Sequence, residues 1–119
     1  MHIEGDAVLL RIFIGESDKH GHRALSDVIV QEARASGLAG ATVLRGTSGF
    51  GPSARIRSSR VLDLSSDLPI VVEIVDREDR LTGFLGRLDE LLEESGCGGL
   101  VTLEKAQVLR YLNRGAKGS

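Results

Sequence analysis

Residues 69–75 read Pro69-Ile70-Val71-Val72-Glu73-Ile74-Val75, an apolar run rich in β-branched residues and broken by one charge. Branched side chains suit a pleated surface, and a run apolar on both faces belongs near the middle of a sheet. Toward the C-terminus, Asp76 reads as a helix N-cap, with Glu78 and Asp79 suited to the positive end of the helix dipole. Leu81, Phe84, Leu85, Leu88, Leu91 and Leu92 then recur on one helical stripe, and Ser95-Gly96 supplies a stop. Residues 100–112 read as a final strand region and 113–119 as a frayed tail.

Toward the N-terminus, residues 54–66 are basic and then alternate, open to a long loop or an extended ribbon. Residues 41–46 (ATVLRG) form a second strand candidate that runs into the glycine-rich stretch 46–51. Over residues 22–36, Leu25, Val28, Ile29 and Ala33 recur at helical spacing, and Ser36-Gly37 offers a left-handed stop. Residues 15–21 form a polar loop after the strand candidate 7–14 (AVLLRIFI). The order is strand, helix, strand, strand, helix, strand. That is an α+β, ferredoxin-like βαββαβ sandwich, with a four-stranded antiparallel sheet and two helices on one face. The whole chain, 1–119, is one domain, structured over about 7–112.

The same periodicity divides the strands into two faces. Val8, Leu10, Ile12 and Ile14 share one side of the first strand, leaving Leu9, Arg11 and Phe13 on the other. In the central run Ile70, Val72 and Ile74 oppose Val71, Glu73 and Val75. Two helices cover one side only, so the second face is apolar with one charge per strand. Arg11 and Glu73 would meet across antiparallel neighbours. An apolar face of this size calls for cover, by burial in an oligomer ahead of loops and the C-terminal tail.

Composition narrows the function classes. The chain is 41% hydrophobic and 27% charged, ordinary for a globular domain. Its aromatic content of 3% and net charge of −2 argue against a nucleic-acid partner, which needs stacking rings and a basic surface. No apolar run approaches a membrane span, and the N-terminus lacks the features of a secretory signal. A single Cys, Cys97, excludes an internal disulfide, so a cytoplasmic, reducing compartment is expected. Its position after a helix C-terminus disfavours the thiolate.

The segment Arg45-Gly46-Thr47-Ser48-Gly49-Phe50-Gly51 carries the most suggestive chemistry. Glycines let a backbone turn its N–H groups onto an anion, and Arg45, Arg55, Arg57 and Arg60 add charge. The spacing is neither that of a dinucleotide fingerprint nor of a P-loop, and no helix follows, so read alone the segment is more often a mobile surface loop. Glu16, Asp18, His20 and His22 raise a metal reading, for which the sequence fixes no third ligand. Asp89, Glu90, Glu93 and Glu94 form the wet face of the second helix. No acid, base and nucleophile stand together, so no catalytic residues and no enzyme are expected.

Gly40-Ala41-Thr42-Val43-Leu44-Arg45-Gly46, followed by Gly49-Phe50-Gly51, resembles the PII-like signalling proteins, and most closely a bacterial branch of small domains. Residues 68–75 and 99–104 resemble the same branch, and the likeness runs from about Val8 to Tyr111. It implies a ferredoxin-like homotrimer that binds an anionic ligand, adenine nucleotides in the family, in clefts between subunits. It also implies a mobile loop, here 49–67, that signals to a membrane transporter or another regulated protein. By the same resemblance Gly46, Gly49 and Gly51 match the loop base, Gly98 and Gly99 a second phosphate loop, and Arg110 a late arginine; Arg45 joins this candidate set on its charge. The lysine of the second phosphate loop is replaced by Gly99 in a shortened loop, a second late arginine by Leu112, and the mobile loop lacks the tyrosine used for uridylylation. Two other classes stay open: a divalent-metal-handling trimer using His20, His22 or nearby carboxylates, and a ligand-free docking module for a transporter.

Overall fold

In the computed structural model, residues 5–51, 56–58 and 67–113 are described. β1 spans Gly5–Gly15, α1 Leu25–Ala35, β2 Thr42–Arg45, β3 Pro69–Asp76, α2 Glu78–Ser95 and β4 Leu100–Val108. The four strands form one antiparallel sheet in the order β2-β3-β1-β4. This is the ferredoxin-like arrangement that the element order predicts, with β3 and β1 central.

Period two decides which side chains meet the helices. Leu10 pairs with Ile74, Ile12 with Val72 and Ile14 with Ile70, and all six are buried beneath α1 and α2. The helices answer with Leu25, Val28, Ile29 and Ala33 from α1 and Leu81, Phe84, Leu88 and Leu91 from α2. Fully burying a side chain of this kind stabilises the fold by about 1.5–3 kcal/mol. The outer strands are less covered: Val43, Val101 and Leu103 face the helices yet stay partly exposed.

Several expected boundaries move. Helix α1 begins at Leu25 and not at residue 22, because Lys19–His20 and Arg23–Ala24 pair as a short ribbon first. The Leu25 N–H then donates to the Asp18 carbonyl at 2.8 Å, which fixes where the helix starts. Asp76 is the last residue of β3, while Arg77 is the N-cap of α2 and makes no side-chain capping bond, its guanidinium pairing with Asp79 instead. β4 ends at Val108, where it pairs with Gly5, and Leu109 and Leu112 are exposed beyond it. The stops behave as expected: Gly37 (φ +75°) and Gly96 (φ +69°) take the left-handed conformation that glycine permits. Most of 54–66 and residues 114–119 lie outside the described residues.

Candidate ligand site

Arg45 closes β2 at the edge of the sheet. Its Nε lies 3.3 Å from Glu16 Oε2, with 61% of the side chain still exposed. Glu16 is itself anchored: its N–H donates to the Leu68 carbonyl (2.8 Å), and the Leu68 N–H donates to Glu16 Oε1 (3.3 Å). Buried Asp67, at the far end of the expected loop, accepts the Ser17 N–H at 3.1 Å. Gly46 donates to the Pro69 carbonyl at 2.8 Å, and a Cβ there would meet Pro69 Cγ at 3.2 Å. A side chain here would press on the proline ring. Ser48–Gly49 continues as a two-residue ribbon paired with Arg57–Ser58, and Gly51 follows it.

Gly98 and Gly99 precede β4 at the same end of the sheet as Gly46, but on the opposite edge. Three strand spacings separate those edges, roughly 14 Å. Arg110 is exposed beyond the other end of β4, a strand length of roughly 30 Å from Gly99. One chain therefore gathers Arg45, Gly46 and Gly49, and holds Gly98, Gly99 and Arg110 apart from them.

A cleft that the sequence reading missed lies on the sheet face without helices. It measures about 430 Å³ and is walled by Ala39–Ala41 of the α1–β2 connection on one side and by Tyr111 on another. Leu9, Val75 and Val108 make its apolar floor, while Glu73 and Thr42 contribute a carboxylate and a hydroxyl. Glu73 and Thr42 are register partners, so β2–β3 pairing sets their spacing. Arg11 donates from Nε to Glu73 Oε2 at 2.9 Å, and its other guanidinium nitrogen bonds Glu104. The Glu73 hydrogen bond, with the two carboxylate charges, raises the Arg11 pKa above its ordinary value. The only sequence signal for the cleft was the single charge Glu73 inside an apolar strand.

Three of the loop residues read as a metal candidate, Glu16, Asp18 and His20, are engaged elsewhere, and His22 is exposed. His20 Nε2 meets Glu94 Oε1 at 2.8 Å, and Asp18 Oδ2 accepts the Gly15 N–H at 2.8 Å. The hydrogen bond from His20, ahead of the charge of Arg87, holds the Glu94 carboxyl below its usual range. Among the described residues no group of three His, Cys, Asp or Glu could hold a metal ion. Cys97 is half-buried, with its Sγ 3.6 Å from the Ser95 carbonyl. Among the described residues no helix is long and apolar enough to cross a membrane.

The family model DUF190, described as "Uncharacterized ACR, COG1993", matches residues 7–108. The chain belongs to this family. A UPF0166 protein of Aquifex aeolicus (strain VF5) is 36% identical over 101 residues, covering 85% of this chain and 91% of that one. The UPF0166 protein MJ1524 of Methanocaldococcus jannaschii is 30% identical over 90 residues, covering 76% and 82%. Among solved structures, this DUF190 chain is similar to CPII of Thiomonas intermedia K12, a nitrogen regulatory PII-like protein bound to ADP, AMP and bicarbonate. That likeness has a TM-score of 0.67 at 19% identity, covering 88% of this chain and 90% of CPII. It is also similar to a putative PII-like signaling protein of Thermus thermophilus, with a TM-score of 0.63 at 22% identity and 98% of both chains covered. The PII-like fold is thereby established for this DUF190 protein.

Proposed function

We propose that this DUF190 protein is a PII-like regulator that binds an adenine nucleotide in clefts completed by neighbouring copies of the chain. The observation that carries the reading is the open-face cleft, where an apolar floor meets Glu73, Thr42 and the Ala39–Ala41 backbone. An apolar slot with a few convergent polar groups suits a planar base and its ribose. Four residues of β2, about 13 Å of strand, lead from Thr42 to Gly46, so phosphates would run toward the glycine–arginine end. There the N–H groups around Gly49 and Gly51 meet them, and Arg45, which leaves the end of β2 on the helix face beside Ile70, reaches round the strand end to join them.

Gly98, Gly99 and Arg110 are too far away to join that set within one chain, so they would come from neighbours. A homotrimer packed through the rest of the apolar open face brings several such edges together and covers Phe13 and Val71, leaving the cleft floor to the ligand. The segment 49–67, which emerges from the phosphate end, conveys occupancy to a partner such as a membrane transporter. The protein is a cytoplasmic binding protein and not an enzyme. CPII, bound to ADP and AMP, supports the choice of nucleotide.

The test is a thermal-shift panel of ADP, AMP, ATP and bicarbonate at fixed protein concentration. A ligand at 100 times its dissociation constant adds about 2.7 kcal/mol per site. A selective shift with ADP or AMP supports the reading. A flat response to all four overturns it.

A further inference from the structure

The wall Ala39-Gly40-Ala41 has open space on both of its sides. Toward the open face lies the 430 Å³ cleft, and toward the helices lies a second one of about 290 Å³ beside Val30, Ala33 and Leu38. Two methyl groups and a hydrogen offer little packing, so side-chain contact does not fix where this wall stands. Hydrogen bonds at one residue, Ala39, do. The Ala39 N–H donates to Asp76 Oδ2 at 2.9 Å, and the Ala39 carbonyl accepts from the Tyr111 hydroxyl at 3.3 Å.

Asp76 is fully buried, and its other oxygen accepts the Arg77 N–H at 2.7 Å. Arg80 Nε lies 3.2 and 3.3 Å from the two carboxylate oxygens, and Arg80 also bonds the Gly37 carbonyl at the start of the same connection. A buried carboxylate is costly unless paired, and here its partners are a guanidinium and two backbone amides. The carboxylate thus ties α2, β3 and the α1–β2 connection at one point. Tyr111, beside Arg110, ties the segment after β4 to that same point.

We infer that Asp76 is a positioning residue for the open-face cleft: it holds the Ala39–Ala41 wall from within the fold while Tyr111 holds it from outside. The inference rests on the nucleotide reading for its ligand. Asn in place of Asp76 keeps the shape but has only one accepting oxygen, so it loses either the Ala39 or the Arg77 amide.

The experiment compares wild type, Asp76→Asn, Tyr111→Phe and the core control Ile29→Val. It uses calorimetric titration with ADP and hydrogen exchange at the Ala39 amide. In Asp76→Asn, ADP is expected to bind about tenfold more weakly, the equivalent of one lost hydrogen bond. Ala39 is expected to exchange about tenfold faster. Tyr111→Phe should move ADP binding in the same direction by less, and Ile29→Val should lower stability without moving it.

Wild-type ADP affinity in Asp76→Asn, or an Ala39 amide that keeps its protection, overturns the inference. If Asp76→Asn does not fold, Tyr111→Phe decides: wild-type affinity there overturns it and weaker binding supports it. If the wild type itself binds no ADP, the nucleotide reading falls, and Ala39 exchange alone decides whether Asp76 positions the wall.

Discussion

Arg11 and Glu73 stand opposite each other in the β1–β3 ladder and are joined by a 2.9 Å ion pair on the sheet face that no helix covers. Arg11 also bonds Glu104 from β4, so one guanidinium ties three strands. The face around it carries Thr42 and Thr102 beside apolar Leu9, Phe13, Val71 and Val75, which are half-buried in the single chain. In one chain this is a solvated ion pair of small net worth. Inside an assembly it becomes a desolvated pair whose loss leaves carboxylates unpaired.

Arg11→Ala therefore reports on assembly. The variant is expected to dissociate at a protein concentration at least about tenfold higher than wild type, measured by sedimentation. Equal dissociation of the two proteins would show that this face is not the interface.

Arg45 separates binding from stability. Its ion pair with Glu16 is exposed, so Arg45→Ala should cost less than about 1 kcal/mol of folding stability. The same change should weaken ADP binding by about 1.5–3 kcal/mol, through loss of a charged hydrogen bond. Calorimetric titration beside urea unfolding reads both quantities, and unchanged ADP affinity removes Arg45 from the site.

Gly96 caps α2 with φ +69°, and a Cβ there would meet no atom within 4 Å. Backbone strain alone should make Gly96→Ala less stable, by about 1 kcal/mol in urea unfolding. The ADP affinity should not change.

Glu94 gives a pH signature. Its pKa is depressed in the folded protein by His20 first and Arg87 second, so its stabilising effect is complete above the unfolded value, about 4.3. That effect is lost as pH falls through the lower, folded-state value. Wild type should thus lose stability more steeply than Glu94→Gln between about pH 5 and pH 3. Parallel curves over that range would show that the His20–Glu94 contact contributes nothing.

The fold was legible because its signals are local and redundant. The alternation in β1 and β3 and the stripes on α1 and α2 name the same buried residues that the structure packs together. Even the Arg11–Glu73 pair followed from parity and antiparallel order. Element ends were less legible. The ribbon before α1 pairs polar residues and leaves no hydrophobic period, and Leu109 and Leu112 extend an apolar pattern past the point where pairing stops.

The site was harder because it is assembled from distant segments. Residues 39–42, Glu73 and Tyr111 meet only through the strand order. Asp76 illustrates the difficulty. An acidic residue before a helix suggests a cap, and only the fold reveals that Ala39 lies within reach of its carboxylate.

The most direct test of the proposed nucleotide site is a titration of the isotope-labelled protein with ADP, followed amide by amide. Saturable shifts are expected at Gly40, Thr42 and Glu73 in the cleft and at Gly46 and Gly49 beyond the end of β2. Shifts confined to residues outside that line, or none at millimolar ADP, would contradict it.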